Sequence, residues 1–371
     1  MKLVSKTLLA SAAAALMLGS IASFSMMGCS DDGGSSSSSG GSTDGVGAVP
    51  PARPDGPATT DTASRTFAID SLKMGTNNGW KKLGYNIDGK ISSKNAKDTC
   101  KGTADSALDP PHEDGDNGID NAFGNMILPK LDSVQPDIEG LANTSLRQGS
   151  FTIMVQIAGL PADAPSALTG LSGQLFAGGR YFTKEEGAPS DPDAGPPVTP
   201  PAYGNTSTDW PVLGAILNNP NDPAQGSKIT FSNSYVADGT FVSGDRVTVN
   251  LNLTFSGITL ELAVRNAIIT MKPGPNGTMT DGIISGLLNT EEIATALGKL
   301  KGKLGAQFCG SAVDSFIDNL RNASDSLSDG STDPNKSCDA ISIGLGFTAK
   351  EIGNPTRVSP PTPEDNTNAC E

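Results

Sequence analysis

The chain has 371 residues, with 40 acidic against 26 basic side chains, a net charge of −14 and a single histidine. That balance excludes a nucleic-acid surface, which needs clustered cations to release counterions from phosphates, and it argues against electrostatic adhesion to anionic lipid. The one histidine, His112, sits in the turn Asp109-Pro110-Pro111-His112-Glu113. Any Ser-His-Asp or Cys-His machinery would have to use it, and an exposed loop residue is the simpler expectation.

Lys2 and Lys6 precede Thr7–Phe24, an almost unbroken run of Leu, Ala, Ile, Met and small residues, and Met26-Met27-Gly28-Cys29 follows. A basic start, an apolar core and a small residue before the cut are the order of a secretory signal rather than of a membrane span. With a cysteine directly after the small residue, the segment resembles the lipobox of bacterial lipoproteins, carrying Met26 where that family usually has Leu. The resemblance implies that residues 1–28 are removed and that Cys29 is acylated as the mature N-terminus. Ser30, rather than Asp, in the next position implies delivery to the outer membrane. The partner is then the membrane itself, reached through several acyl chains, which hold firmly where a single chain binds only marginally. Loss of Lys2 and Lys6 moves the net charge from −14 to −16.

Residues 29–64 read as a tether. Gly33–Gly41 is Gly and Ser, and Pro50-Pro51-Ala52-Arg53-Pro54 follows. Such a segment has too little apolar surface to offset the entropy of ordering. As a flexible coil, Ser30–Ser64 spans a root-mean-square distance of roughly 30–35 Å.

The ectodomain, residues 65–352, reads as mainly β, an α+β fold in which an antiparallel β-sandwich carries an inserted helical hairpin. Taken along the chain, Phe67–Leu72 and Lys82–Ile87 are weaker strands, and short helices fit Asp120–Leu128, stopped by Pro129, and Asp137–Ser145. Phe151–Ile157 alternates, with Phe151, Ile153, Val155 and Ile157 inward. Gln174–Phe182 and Lys228–Tyr235 are further weak strands. Arg246–Thr254 and the run from Ile258 to Arg265 alternate around Phe255-Ser256-Gly257, which predicts a hairpin with one buried face. Ala267–Met271 and Thr278–Ser285 flank the turn Pro273–Gly277. Asn289–Leu304, capped by Asn289 or Thr290, and Ser311–Ser324, capped by Ser311, carry apolar stripes at helical spacing. Those stripes suit packing on the sheets, a partner-binding surface being the alternative. Ile341–Ala349 closes the series. About nine strands with half-polar faces are the basis for the sandwich. Residues 188–201 and the tail 353–371 are Pro-rich and read as loop and tail rather than as domain boundaries.

Four cysteines follow Cys29. An even number in an exported chain reads as two disulfides. Cys309–Cys338 would close a local loop and Cys100–Cys370 would pin the tail.

The best candidate for chemistry is Glu113-Asp114-Gly115-Asp116-Asn117-Gly118-Ile119-Asp120-Asn121, which resembles calcium-binding loops: alternate acidic residues supply hard oxygens and glycines allow the turn. Asp114, Asp116 and Asp120 are the candidate Ca²⁺ ligands. Ile119 and Asn125 occupy the sixth and twelfth positions from Asp114, where an EF-hand has Gly and Glu, so the loop is not an EF-hand. The other reading is a solvated turn in which Asp120 caps the next helix. Neither a metalloprotease HExxH, a G-x-S-x-G elbow nor a phosphate loop occurs. The expectation is therefore a lipid-anchored envelope protein with a non-catalytic binding or structural ectodomain and a protein or glycan partner. For a glycan, Trp80, Tyr85 and Trp210 would be the small aromatic platform. The alternative is a secreted hydrolase using carboxylates or calcium.

Overall fold

A computed structural model of the chain describes residues 43–44, 47–93, 96, 98–102, 113–188, 199–255, 258–299 and 309–360. Residues 1–42, with Cys29, lie outside them, as do His112, the centre of the Pro-rich loop and Cys370.

Among the described residues the main sheet has eleven strands, nine of them besides the two-residue pair Val212–Leu213 and Val358–Ser359: β1 (Ser64–Lys73), β2 (Thr152–Ala158), β3 (Leu168–Gly178), β4 (Thr230–Ala237), β5 (Thr240–Val242), β6 (Val247–Phe255), β7 (Ile258–Pro273), β8 (Thr278–Asn289) and β9 (Ala340–Ile352). The sheet is not a sandwich. Eight of the strands pair antiparallel in the order β1-β2-β3-β4-β5-β7-β8-β9, and β9 returns to β1 through Gly346↔Lys73 and Ile352↔Thr66. The ring is completed by β3 and β4, paired from Leu168↔Val236 to Gln174↔Thr230. Apart from β6, which lies between β5 and β7 in sequence and also pairs with β7, neighbours around the ring follow one another along the chain, so the topology is an up-and-down barrel, which leaves no sheet edge in the ring. The ninth strand, β6, pairs with the first part of β7 and overhangs one end.

The inward positions expected for the second barrel strand are correct: Phe151, Ile153, Val155 and Ile157 all join the main core with Phe67, Leu175, Phe241, Ile269 and Leu345. The outer face is not polar throughout. Ala68, Met154, Phe176 and Ile352 point the other way and pack under Trp210, Val212 and Leu217. This second burial is why the outward positions Ala68 in β1 and Met154 in β2 are apolar. It also marks the Pro-rich region around 199–227 as a cover for the barrel wall.

Several local expectations need correction. Lys82–Ile87 is a turn, because Leu83 and Gly84 lie flat on β9, with the Leu83 carbonyl where a side chain on Gly344 would be. Ala267–Met271 is the second half of the unbroken β7, which carries a register shift at Asn266 in the left-handed region (φ 50°). Pro129 does not end a helix: a π-turn, Phe123–Ile127, runs directly into α1 (Leu128–Val134), whose second residue is Pro129. Asp137 caps α2 (Ile138–Gln148) by accepting from the Gly140 N–H at 3.2 Å. In α3 (Thr290–Lys299) the Asn289 side chain caps the Glu292 N–H at 3.1 Å, as expected. The cap position of α4 (Ser311–Asn322) is Gly310, not Ser311. Helices α3 and α4 pack on each other, and the residues that join them lie outside the described set.

The tether is shorter than residues 29–64. Ala48 donates to Asn117 O at 2.8 Å, Pro51 O accepts from the Tyr235 hydroxyl at 2.7 Å, and the Thr59 hydroxyl donates to Gly159 O at 2.6 Å. A Pro-rich segment makes no internal ladder, so its free carbonyls are available to strap it along the barrel. The first residues of the expected tail are pinned too: Val358–Ser359 pair with Val212–Leu213, and the Arg357 guanidinium stacks on Phe182. The expected disulfides are also wrong. Cys100 bonds to Cys338, with Cα atoms 5.2 Å apart, because residues 100–101 run beside 332–338: Thr332 Oγ1 accepts from the Cys100 N–H and Lys101 bridges Ser337. Cys309, the partner expected for Cys338, is in a disulfide of its own.

Two glycines test this packing in opposite directions. Gly344→Ala drives a methyl into the Leu83 backbone and should cost about 1–3 kcal/mol. Gly298→Ala, on α3 with open space around it, should gain about 0.5–1 kcal/mol. Urea unfolding of both variants measures the pair.

Candidate functional site: a loop-bearing rim and a buried carboxylate cluster

The antiparallel order sorts the connections by length. At one rim they are short: 159–167, the Asp238-Gly239 turn with both residues at positive φ, and 274–277. The other rim receives 74–151, 179–229, the β6 overhang and 290–339. Long connections held by a rigid frame are where binding residues usually sit. Helix α2 is fixed over this rim: Asn143 exchanges two hydrogen bonds with the Leu72 backbone, at 2.7 and 2.9 Å, and Glu139 accepts from the Met74 N–H at 2.6 Å. Its buried stripe, Ile138, Ala142 and Leu146, belongs to the main core.

Two of these connections bring four aspartates together. Asp120 is 3% exposed and accepts from the Ile87 N–H at 2.6 Å and the Asp88 N–H at 3.3 Å. Asp114 accepts from the Ser92 N–H at 2.5 Å, and Asp88 from the Lys90 N–H at 2.8 Å. Asp325, from the connection between β8 and β9, accepts from the Ser342 N–H at 2.8 Å and its hydroxyl at 2.5 Å. The same hydroxyl accepts from the Ala122 N–H at 2.8 Å, which ties the two connections to β9.

Burial, and then the neighbouring negative charges, push these carboxyls up. Asp114 and Asp325 rise to about 7, Asp120 rises well above the ordinary carboxylate range, and Asp88 rises with partial relief from Lys90. Near neutral pH the cluster therefore holds protons, and a side-chain hydrogen bond joins Asp114 to Asp120.

Of the three calcium ligands expected from the loop, the structure gathers Asp114 and Asp120 and leaves Asp116 exposed, its N–H bonded to Lys81 O at 2.8 Å. Asp120 does not cap a helix; that position goes to Asn121, whose side chain accepts from the Gly124 N–H at 2.9 Å. Among the described residues no three His, Cys, Asp or Glu side chains converge closely enough to hold one metal ion. The oxygens suit calcium in kind but not in arrangement, so the residues present do not fit that centre. Asp88 and Asp325 were not legible in the loop spacing, since Asp325 lies more than two hundred residues away in sequence.

The aromatic platform is not there either. Trp210 is fully buried against Tyr181 and Tyr203 and donates to Gly179 O at 2.7 Å, while Trp80 is 7% exposed under Lys81. A cavity of about 670 Å³ does open at the loop-bearing rim, between the end of β3, residues 213–216, the β6–β7 overhang and α3. The aspartates do not line it. Among the described residues no helix is long and apolar enough to cross a membrane. No protein family, curated protein or solved structure matches the chain.

The cluster predicts the pH dependence of stability. A carboxyl whose value is raised on folding adds stability that is whole below its unfolded value, near 3.8, and lost as pH rises through about 7. Stability should therefore fall between about pH 4 and about pH 7, and Asp325→Asn should flatten that fall. Thermal unfolding across the range, wild type against variant, measures it.

Proposed function

We propose that this protein is a lipid-anchored lipoprotein of the cell envelope whose barrel carries a non-catalytic binding surface on its loop-bearing rim. The observation that carries the binding role is the segregation of every long described connection to one rim of a closed frame, with short turns at the other. The barrel interior is filled with apolar side chains, so ligand contact belongs to the rim. The anchor is supported by the residue order Met26-Met27-Gly28-Cys29, and the outer-membrane destination by Ser30. The strap along residues 47–63 then leaves only the residues before it as spacer.

The hydrolase reading has less support. Its paired carboxylates exist in Asp114 and Asp120, but they lie under loops rather than in the cavity, and a general acid needs its substrate within hydrogen-bond reach.

Peptide mass spectrometry of the processed protein should find an N-terminal Cys29 carrying acyl chains, and Cys29→Ala should move the protein from the membrane to the soluble fraction. An unmodified N-terminus downstream of Cys29 removes the anchor from the proposal.

A further inference from the structure

The cavity at the loop-bearing rim has a composition that selects its occupant. Its floor is apolar: Leu262 and Ile293 are nearly inaccessible to solvent and belong to the main core. The space exists because four lining positions are alanines, Ala177, Ala215, Ala263 and Ala296, each of which stops at Cβ. A volume of about 670 Å³ is within the range of sites for small organic molecules.

Charge then narrows the choice. The charged lining residues are Glu291 and Glu292, and none of the lining residues is basic. The Glu291 carboxylate accepts from Arg321 Nε at 2.8 Å and from a terminal nitrogen at 2.9 Å, and Glu292 pairs with Arg265. Neither arginine lines the cavity. An ionised carboxylate has about four lone-pair sites, so each keeps acceptor capacity after its arginine. The hydrogen bond from Arg321 holds Glu291 below the ordinary carboxylate range, which keeps it ionised at neutral pH. The arginines offset part of that charge from outside the lining, so an anionic head would meet carboxylate oxygens and find no lining cation to pair with.

We propose that this cleft binds a small ligand with an apolar body and a primary-amine head, the body on the Leu262–Ile293 floor and the head at Glu291 and Glu292. The proposal rests on the reading of the loop-bearing rim as the binding surface and gives that surface a ligand class.

The test is calorimetric titration of the full processed chain, held in lipid nanodiscs, with three probes of matched body: phenethylamine, phenethyl alcohol and hydrocinnamate. Phenethylamine should bind saturably at one site, and hydrocinnamate about tenfold or more weakly, a difference of about 1.4 kcal/mol or more. Ala263→Phe and Ala296→Phe fill the cleft from partly exposed positions and should each weaken the amine about tenfold without lowering the unfolding temperature. Ala215→Phe, at an exposed position, gives the same reading if either of those fails to fold. Uptake of amine by lipid is the same in every variant and cancels in the comparison. Equal affinity for amine and carboxylate, absence of saturable amine binding, or binding unaffected by the filling variants overturns the proposal. An unmodified Cys29 would sink the anchor and leave this titration intact, so the two failures are distinguishable.

Discussion

The pairing of β3 with β4 is the constraint on which the rest of the molecule depends. Without it the sheet is an open ribbon with two exposed edges, which proteins must otherwise cover or charge. With it, Leu168–Gln174 and Thr230–Val236 share a ladder, extended by the Leu175 N–H to the Ile229 carbonyl at 3.0 Å. The closure needs a small residue at Gly173: the Phe231 ring occupies the space a side chain there would fill, and Phe231 in turn packs against Phe241, with centroids 6.4 Å apart. One missing Cβ lets an aromatic ring cross the seam.

Closure also decides where chemistry can sit. A closed meander alternates its connections between two rims, and here the lengths are strongly unequal between them. The long connections fold back on the wall rather than into solvent. Tyr85, for example, meets Thr270 Oγ1 at 2.7 Å through its hydroxyl, and its backbone N–H donates to Ser285 Oγ at 3.1 Å. Packing of this kind buries carboxylates that water would otherwise solvate, and the protons held by Asp114, Asp120 and Asp325 are the electrostatic consequence. The cleft at α3 is a separate feature of the same rim, made by short side chains rather than by strain.

The sequence showed the alternation of β2, the β6–β7 hairpin and β9 clearly, because period-two burial is a local pattern. Closure was hidden. Gly170 and Gly173 break the apolar pattern at the start of β3, and the partner strand lies some sixty residues on, beyond a Pro-rich segment. The Asp238-Gly239 hairpin carried a local sign, since two adjacent residues at positive φ favour that dipeptide. The disulfide partners followed a spatial adjacency of loops that linear spacing does not encode. Half of the carboxylate cluster was legible in the 113–121 loop, and the other half arrives from residues 88 and 325, which only the tertiary fold brings near.

The most direct test of the closed barrel is amide hydrogen exchange along Thr230–Ala237. A strand paired on both sides protects both alternating sets of its amides, whereas an edge strand leaves one set open to solvent. The closed ring predicts slow exchange for the amides of Thr230–Val236 that face β3, comparable with the β8 amides. Fast exchange of that β3-facing set, with β8 still protected, would contradict it.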